Sequence, residues 1–186
     1  MTQAPRFPLA IVALLATGLL FGCSPGQQHS PQTTALSLTK LKKNDTPRAI
    51  PAVTFADGKG GAHDLVKLEG RYVLLNLWAT WCAPCVRELP ALSHLQAAMD
   101  SRKLVVVAVN VGRDSAAATA AFLKQHNANL PVYVDTKSAF LHAFGATGLP
   151  LTLLIDPSGR EIARASGAVH WDAKDSIAYF KLLSKK

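Results

Sequence analysis

Arg71-Tyr-Val-Leu-Leu-Asn-Leu-Trp-Ala-Thr-Trp-Cys-Ala-Pro-Cys-Val-Arg-Glu-Leu-Pro90 changes character half-way along, and that change decides the fold. Up to Trp78 it is almost continuously apolar, the pattern of a strand buried on both faces. Beyond Pro84, Val86, Leu89, Leu92, Leu95, Ala98 and Met99 recur at helical spacing, which predicts an amphipathic helix from Pro84 to about Met99. Pro84 suits the helix start, where its missing N–H costs nothing. Pro90 removes the bond to the Val86 carbonyl and predicts a kink.

Working outward, Leu104-Val-Val-Val-Ala-Val-Asn-Val111 reads as a second buried strand, rich in β-branched residues. Ser115 can cap a helix to about Asn127 with Ala117, Ala121 and Phe122 on its apolar side. A short strand at 131–135 and a helix near 138–144, ending at Gly145, come next. Residues 150–156 and 160–164 flank the turn Pro157-Ser-Gly159 and predict an antiparallel hairpin. Asp172 is placed to cap a last helix reaching about Leu183. Upstream, Val53-Thr-Phe55 and Ala62-His-Asp-Leu65 bracket a glycine-rich turn, a further small hairpin. This order predicts one α/β sandwich with a mixed central sheet, with no repeat and no second domain.

Cys82 and Cys85 fall where the strand gives way to the helix, the end of an open α/β sheet that carries reactive groups. Free backbone donors and the helix dipole at that terminus stabilise a thiolate on Cys82, making it the nucleophile. Cys85, one turn further in, is placed to attack a mixed disulfide on Cys82 and resolve it. Other uses of a Cys pair fit less well. Zinc needs two more ligands, yet the only other Cys is Cys23, the candidate lipid site, and no His-x₃₋₅-His pair exists. Covalent haem attachment needs a His where Val86 stands. A thiol peroxidase would carry Pro and Thr where Leu75 and Ala79 stand.

Asn76-Leu-Trp-Ala-Thr-Trp-Cys-Ala-Pro-Cys-Val-Arg-Glu-Leu-Pro90 closely resembles the signature of membrane-tethered, thioredoxin-like disulfide reductases of the TlpA/ResA type. The likeness spans about residues 50–183 and includes Thr147-Gly-Leu-Pro-Leu-Thr152. It implies a thioredoxin fold with an N-terminal hairpin and an inserted strand–helix unit. It also implies a cis Pro150 beside the active disulfide, where Pro150, Leu149 and Trp81 contact the substrate chain. From the residues alone, Pro150 reads equally as a strand-initiating proline. Glu88 matches an acidic residue that influences proton transfer, three residues beyond Cys85 on the same helical face; a surface Glu beside Arg87 is the competing reading. Trp78 and Trp171 read as structural. The implied partners are disulfide-containing exported proteins, such as apocytochrome c or copper proteins, and a membrane electron donor of the DsbD/CcdA type. No cofactor beyond the Cys82–Cys85 pair is expected. The rivals are a disulfide-forming oxidase of the same fold and a copper metallochaperone, although the latter would resemble Cys-x-x-x-Cys.

The N-terminus bears on location. Arg6 precedes an uncharged run of 14 residues, Leu9 to Gly22, which is short for a bilayer span and suits an export signal. Leu20-Phe-Gly-Cys23 resembles a bacterial lipobox, which implies a signal peptide at 1–22 and lipidation of Cys23. An uncleaved anchor and simple secretion are the alternatives. Ser24 in place of Asp favours passage to the outer membrane, on the periplasmic side. Residues 23–46 lack apolar periodicity and read as a flexible tether spanning on the order of 25–30 Å, ahead of a domain at 47–186. The formal charge of +8 falls to +7 without Arg6, and Lys40, Lys42, Lys43, Lys181, Lys185 and Lys186 carry much of it. Such a surface suits anionic lipid or acidic partners, while nucleic acid is disfavoured by export and by the lack of a recognition motif.

Overall fold

A computed structural model describes residues 38–185. The signal peptide, Cys23 and the tether as far as residue 37 lie outside the described residues. In chain order the elements are β1 (Lys42–Ala49), β2 (Thr54–Asp57), β3 (Ala62–Asp64), a 3₁₀ turn (Leu65–Leu68) and β4 (Tyr72–Trp78). Then come α1 (Ala83–Ala98), β5 (Leu104–Asn110), α2 (Ala116–Gln125), β6 (Tyr133–Val134) and α3 (Ala139–Ala143). The chain closes with β7 (Leu151–Ile155), β8 (Arg160–Ser166) and α4 (Lys174–Leu183).

All strands join one sheet in the order β1-β8-β7-β4-β5-β6-β2-β3. β4 runs parallel to β5 and antiparallel to β7, so the sheet is mixed, as its alternating helices and terminal hairpin require. Strand alternation divides the core into two layers. Leu74 and Trp78 face a layer with Leu89, Leu92 and Leu95 of α1 and Phe180 of α4. Val73, Leu75 and Leu77 face the other layer, with Phe55, Phe140 and Phe144. Each fully buried Leu contributes roughly 1.5–3 kcal/mol. Asn76 interrupts the first layer, and Thr152 sits directly opposite it on β7. That register makes a polar spot beneath α1.

Two expectations are corrected. Residues 42–46, read as tether, begin β1, which pairs antiparallel with β8 (Lys42 opposite Arg164, Ala49 opposite Arg160), so the folded part starts before residue 47. β1 is an exposed edge strand containing Pro47 and several charges, held by backbone bonds and by Asn44 rather than by an apolar face. Hydrophobic periodicity therefore says nothing about it. Asp172 does not cap α4: Ala173 holds that position, and the Asp172 carboxylate lies 3.2 Å from His94 Nδ1. By contrast, Ser115 caps α2 by accepting the Ala118 N–H. α1 continues through Pro90 over its whole span. Asp156, which carries no role in the sequence reading, organises the β7–β8 turn by accepting the N–H groups of Ser158 and Arg160, with Gly159 supplying the left-handed φ of 72°.

Candidate active site

β4 ends at Trp78 and four residues, 79–82, lead into α1. Thr80 in that link donates to Asp114, which also accepts from the buried Asn110, so the link is tied to the loop after β5. Cys82 is the N-cap of α1 and Ala83 and Pro84 form its first turn. Cys82 and Cys85 are joined in a disulfide. The Cys85 N–H donates to Cys82 Sγ at 3.3 Å, so a backbone donor already points at that sulfur. Cys82 keeps 6% of its surface while Cys85 has none, and the neighbouring Trp81 is 70% exposed. Of the two sulfur-bearing residues, only Cys82 therefore keeps any contact with solvent.

The start of β7 lies at the same end of the sheet, because Leu77 pairs with Leu151. The Leu149–Pro150 bond is cis, as the resemblance implies. Pro150 is buried, Leu149 is half-buried, and the Pro150 carbonyl accepts the Gly167 N–H at 2.9 Å.

One turn beyond Cys85, Glu88 is buried, at 3% exposure, which sets aside the reading as a surface residue. Its Oε1 accepts from Asn76 Nδ2 at 2.7 Å. Its Oε2 accepts from the Val169 N–H at 3.1 Å and from Trp171 Nε1 at 3.2 Å. Asn76 Nδ2 is also 2.9 Å from Thr152 Oγ1. Burial pushes the Glu88 carboxyl up to about 7, against the pull of the Val169, Asn76 and Trp171 hydrogen bonds and the more distant Lys40 charge. A group of that acidity exchanges a proton near neutral pH.

Asn76, Thr152, Val169 and Trp171 carry no site role in the sequence reading. Asn76 was detectable: an Asn inside a strand buried on both faces must have a buried partner. Trp171, read as structural, is both fully buried and a donor to Glu88. The Val169 contribution is a backbone N–H, which residue identity does not report. Among the described residues no group of three or more His, Cys, Asp or Glu is gathered as a metal site would need. Among them too, no helix is long and apolar enough to cross a membrane.

The family model described as Redoxin matches residues 42–182. The chain belongs to the Redoxin family. This redoxin is 36% identical over 119 residues to the thiol-disulfide oxidoreductase ResA of Bacillus subtilis (strain 168), covering 64% of this chain and 66% of that one. The match thus spans just under two thirds of that relative. Among solved structures, this redoxin resembles a candidate thiol:disulfide interchange protein DsbE from Chlorobium tepidum (TM-score 0.65, 27% identity, 76% of this chain and 99% of that one). It also resembles the exposed lipoprotein thioredoxin Etrx1 of Streptococcus pneumoniae (TM-score 0.59, 26% identity, 71% and 99%). The fold is thioredoxin-like, a mixed eight-stranded sheet flanked by helices.

Proposed function

We propose that this chain is a thiol–disulfide oxidoreductase that reduces disulfides in exported proteins. The observation that carries this reading is the asymmetry of the pair: Cys82 at the helix N-terminus beside an exposed Trp81, and Cys85 wholly buried one turn from Glu88. In the reduced protein the α1 terminus stabilises the Cys82 thiolate, which attacks one sulfur of a partner disulfide. The first partner thiolate leaves and takes a proton from solvent. Cys85 then gives its proton to Glu88 and attacks Cys82 Sγ, releasing the second partner thiolate, which is protonated in turn. Two electrons pass from the Cys82–Cys85 dithiol to the partner, and the disulfide of this structure is the product state. A membrane dithiol donor of the DsbD/CcdA type then restores the pair, and the dithiol serves without any other cofactor. Trp81 and Leu149 present surface to the partner, with the buried Pro150 next to Leu149 shaping the contact.

Location follows the N-terminus: an exported domain on the periplasmic side, held by lipid on Cys23 and favoured by Ser24 for the outer membrane. A solved relative described as an exposed lipoprotein thioredoxin supports the anchor. The reductive direction is tested by equilibrating the full chain, in detergent, with glutathione redox buffers. The expected Cys82–Cys85 potential is near or below about −230 mV; a value of about −120 to −180 mV would identify a disulfide-forming or isomerising protein instead.

A further inference from the structure

Residues 167–169 follow β8 and touch three parts of the site in succession. The Gly167 N–H binds the Pro150 carbonyl, and the left-handed φ of 86° at Gly167 turns the chain after the strand. The Ala168–Val169 peptide group, two further on, is bonded at both ends. Its carbonyl, that of Ala168, accepts from Lys40 Nζ at 2.9 Å. Its N–H, that of Val169, donates to Glu88 Oε2 at 3.1 Å. One planar amide thus separates an ammonium from a buried carboxylate. A cleft of about 320 Å³ opens beside it, lined by Lys40, Arg87, Ala91, Ala168, Val169 and His170 together with Glu88.

We propose that Lys40 is a positioning residue for the disulfide site, gripping the Ala168 carbonyl so that the Val169 N–H of the same peptide is held and polarised toward Glu88. This deepens the oxidoreductase reading and rests on it for its biological meaning. A cation on an amide oxygen strengthens donation from that amide's N–H, because linked hydrogen bonds polarise one another. Lys40 favours the ionised form of Glu88, and so keeps more carboxylate ready to take the Cys85 proton. Lys40 also stands two residues before β1, on the segment that joins the fold to the N-terminal leader. Displacement of that segment would therefore loosen the hold on Glu88.

The other charged or titratable groups around Glu88 are Arg87 of α1 and His170 of the 167–171 loop, which line the same cleft. Asn76 of β4 and Thr152 of β7 are neutral, and His94 and Asp172 face each other. Arg87 therefore provides a control: a nearby cation for which no bond to the Ala168–Val169 peptide is seen.

The test uses the full chain in detergent, oxidised and without substrate, labelled to follow the Glu88 side-chain carboxyl and the Val169 amide by NMR across pH 5–9. Lys40→Met is expected to raise the Glu88 midpoint by about half a pH unit, the scale of a partly exposed charge contact, and to shift the Val169 amide proton upfield. Lys40→Arg restores both. Arg87→Met leaves the Val169 resonance in place. An unmoved midpoint in Lys40→Met overturns the proposal. So does a moved midpoint with an unmoved Val169 amide, or an Arg87→Met effect on both signals equal to that of Lys40→Met. None of these readouts needs disulfide exchange, so failure of the reductase reading would be seen separately in the redox titration.

Discussion

Glu88 and Glu161 are both 97% buried, both accept several hydrogen bonds, and yet have opposite acidities. Glu88 lies under the middle of the sheet, where Asn76, Val169 and Trp171 offer neutral N–H groups, and burial drives its carboxyl up to about 7. Glu161 lies at the edge beside β1. Burial also acts to raise it, but a fork of hydrogen bonds from Arg164 Nε (2.7 Å) and Nη2 (2.6 Å), with another from Asn44, outweighs burial and holds it below its ordinary value. The difference is not burial or bond number but whether a guanidinium meets the carboxylate. A carboxylate paired with Arg is kept ionised and serves as a fastening. One met by neutral N–H groups alone can gain and lose a proton at neutral pH.

The largest way to break this contrast is through pH. Because the folded acidity of Glu88 is shifted up, the folded protein binds more protons than the unfolded chain between about pH 4.5 and 7. Stability therefore falls as pH rises through that window, by about 3 kcal/mol, and stays low above it. Urea denaturation from pH 4 to 9 should show this fall in the wild type and lose most of it in Glu88→Gln. Glu161 has the opposite sign: its depressed acidity stabilises the fold above its ordinary range, and that contribution is lost as pH falls through the lower folded value.

Next in size, Arg164→Met removes the guanidinium and leaves the buried Glu161 carboxylate with the Asn44 amide as donor. Because the Arg164 side chain is 31% exposed, the expected cost is discounted to about 2 kcal/mol at pH 7. In the same urea series, the variant should recover part of that loss as pH falls and Glu161 becomes neutral. An Arg164→Met protein as stable as wild type at pH 7 would show that the fork is not what separates the two sites. The smallest effect belongs to Asn44→Ala, which removes donors to the Glu161 carbonyl and carboxylate. About 1 kcal/mol should be lost in thermal or urea unfolding, with faster amide hydrogen exchange confined to β1 and the facing part of β8.

These two sites also show where a sequence speaks and where it is silent. β4 and β5 were legible because long apolar runs have few other uses, and the start of α1 because Cys82 and Pro84 suit a helix N-terminus. The disulfide chemistry was legible for the same reason. β1 was not: an edge strand buries almost nothing, so its residues Lys42 to Ala49 carry no periodic signal. Asp172 looked like a cap because Asp favours that position, but its carboxylate meets His94 instead. Glu88 was legible as a residue of interest only by likeness. Its setting depends on a strand register that puts Asn76 opposite Thr152, and on an N–H from a loop eighty-one residues away. Lys40 was visible only as one charge among several in a basic segment.

Asn76 has a further consequence. Its Oδ1 is buried without a hydrogen-bond partner, while its Nδ2 serves both Glu88 and Thr152. An Asn amide is nearly symmetrical in shape, so half a rotation about Cβ–Cγ exchanges a donor for an acceptor in the same volume. With Glu88 ionised, the NH₂ group faces it. With Glu88 protonated, a half-rotated Asn76 would offer its oxygen to the new O–H and to the Thr152 hydroxyl, while its NH₂ would take the partnerless place that Oδ1 holds now. Asn76 as placed is therefore matched to an ionised Glu88, since the half-rotation that suits the protonated form would leave a buried NH₂ unpaired.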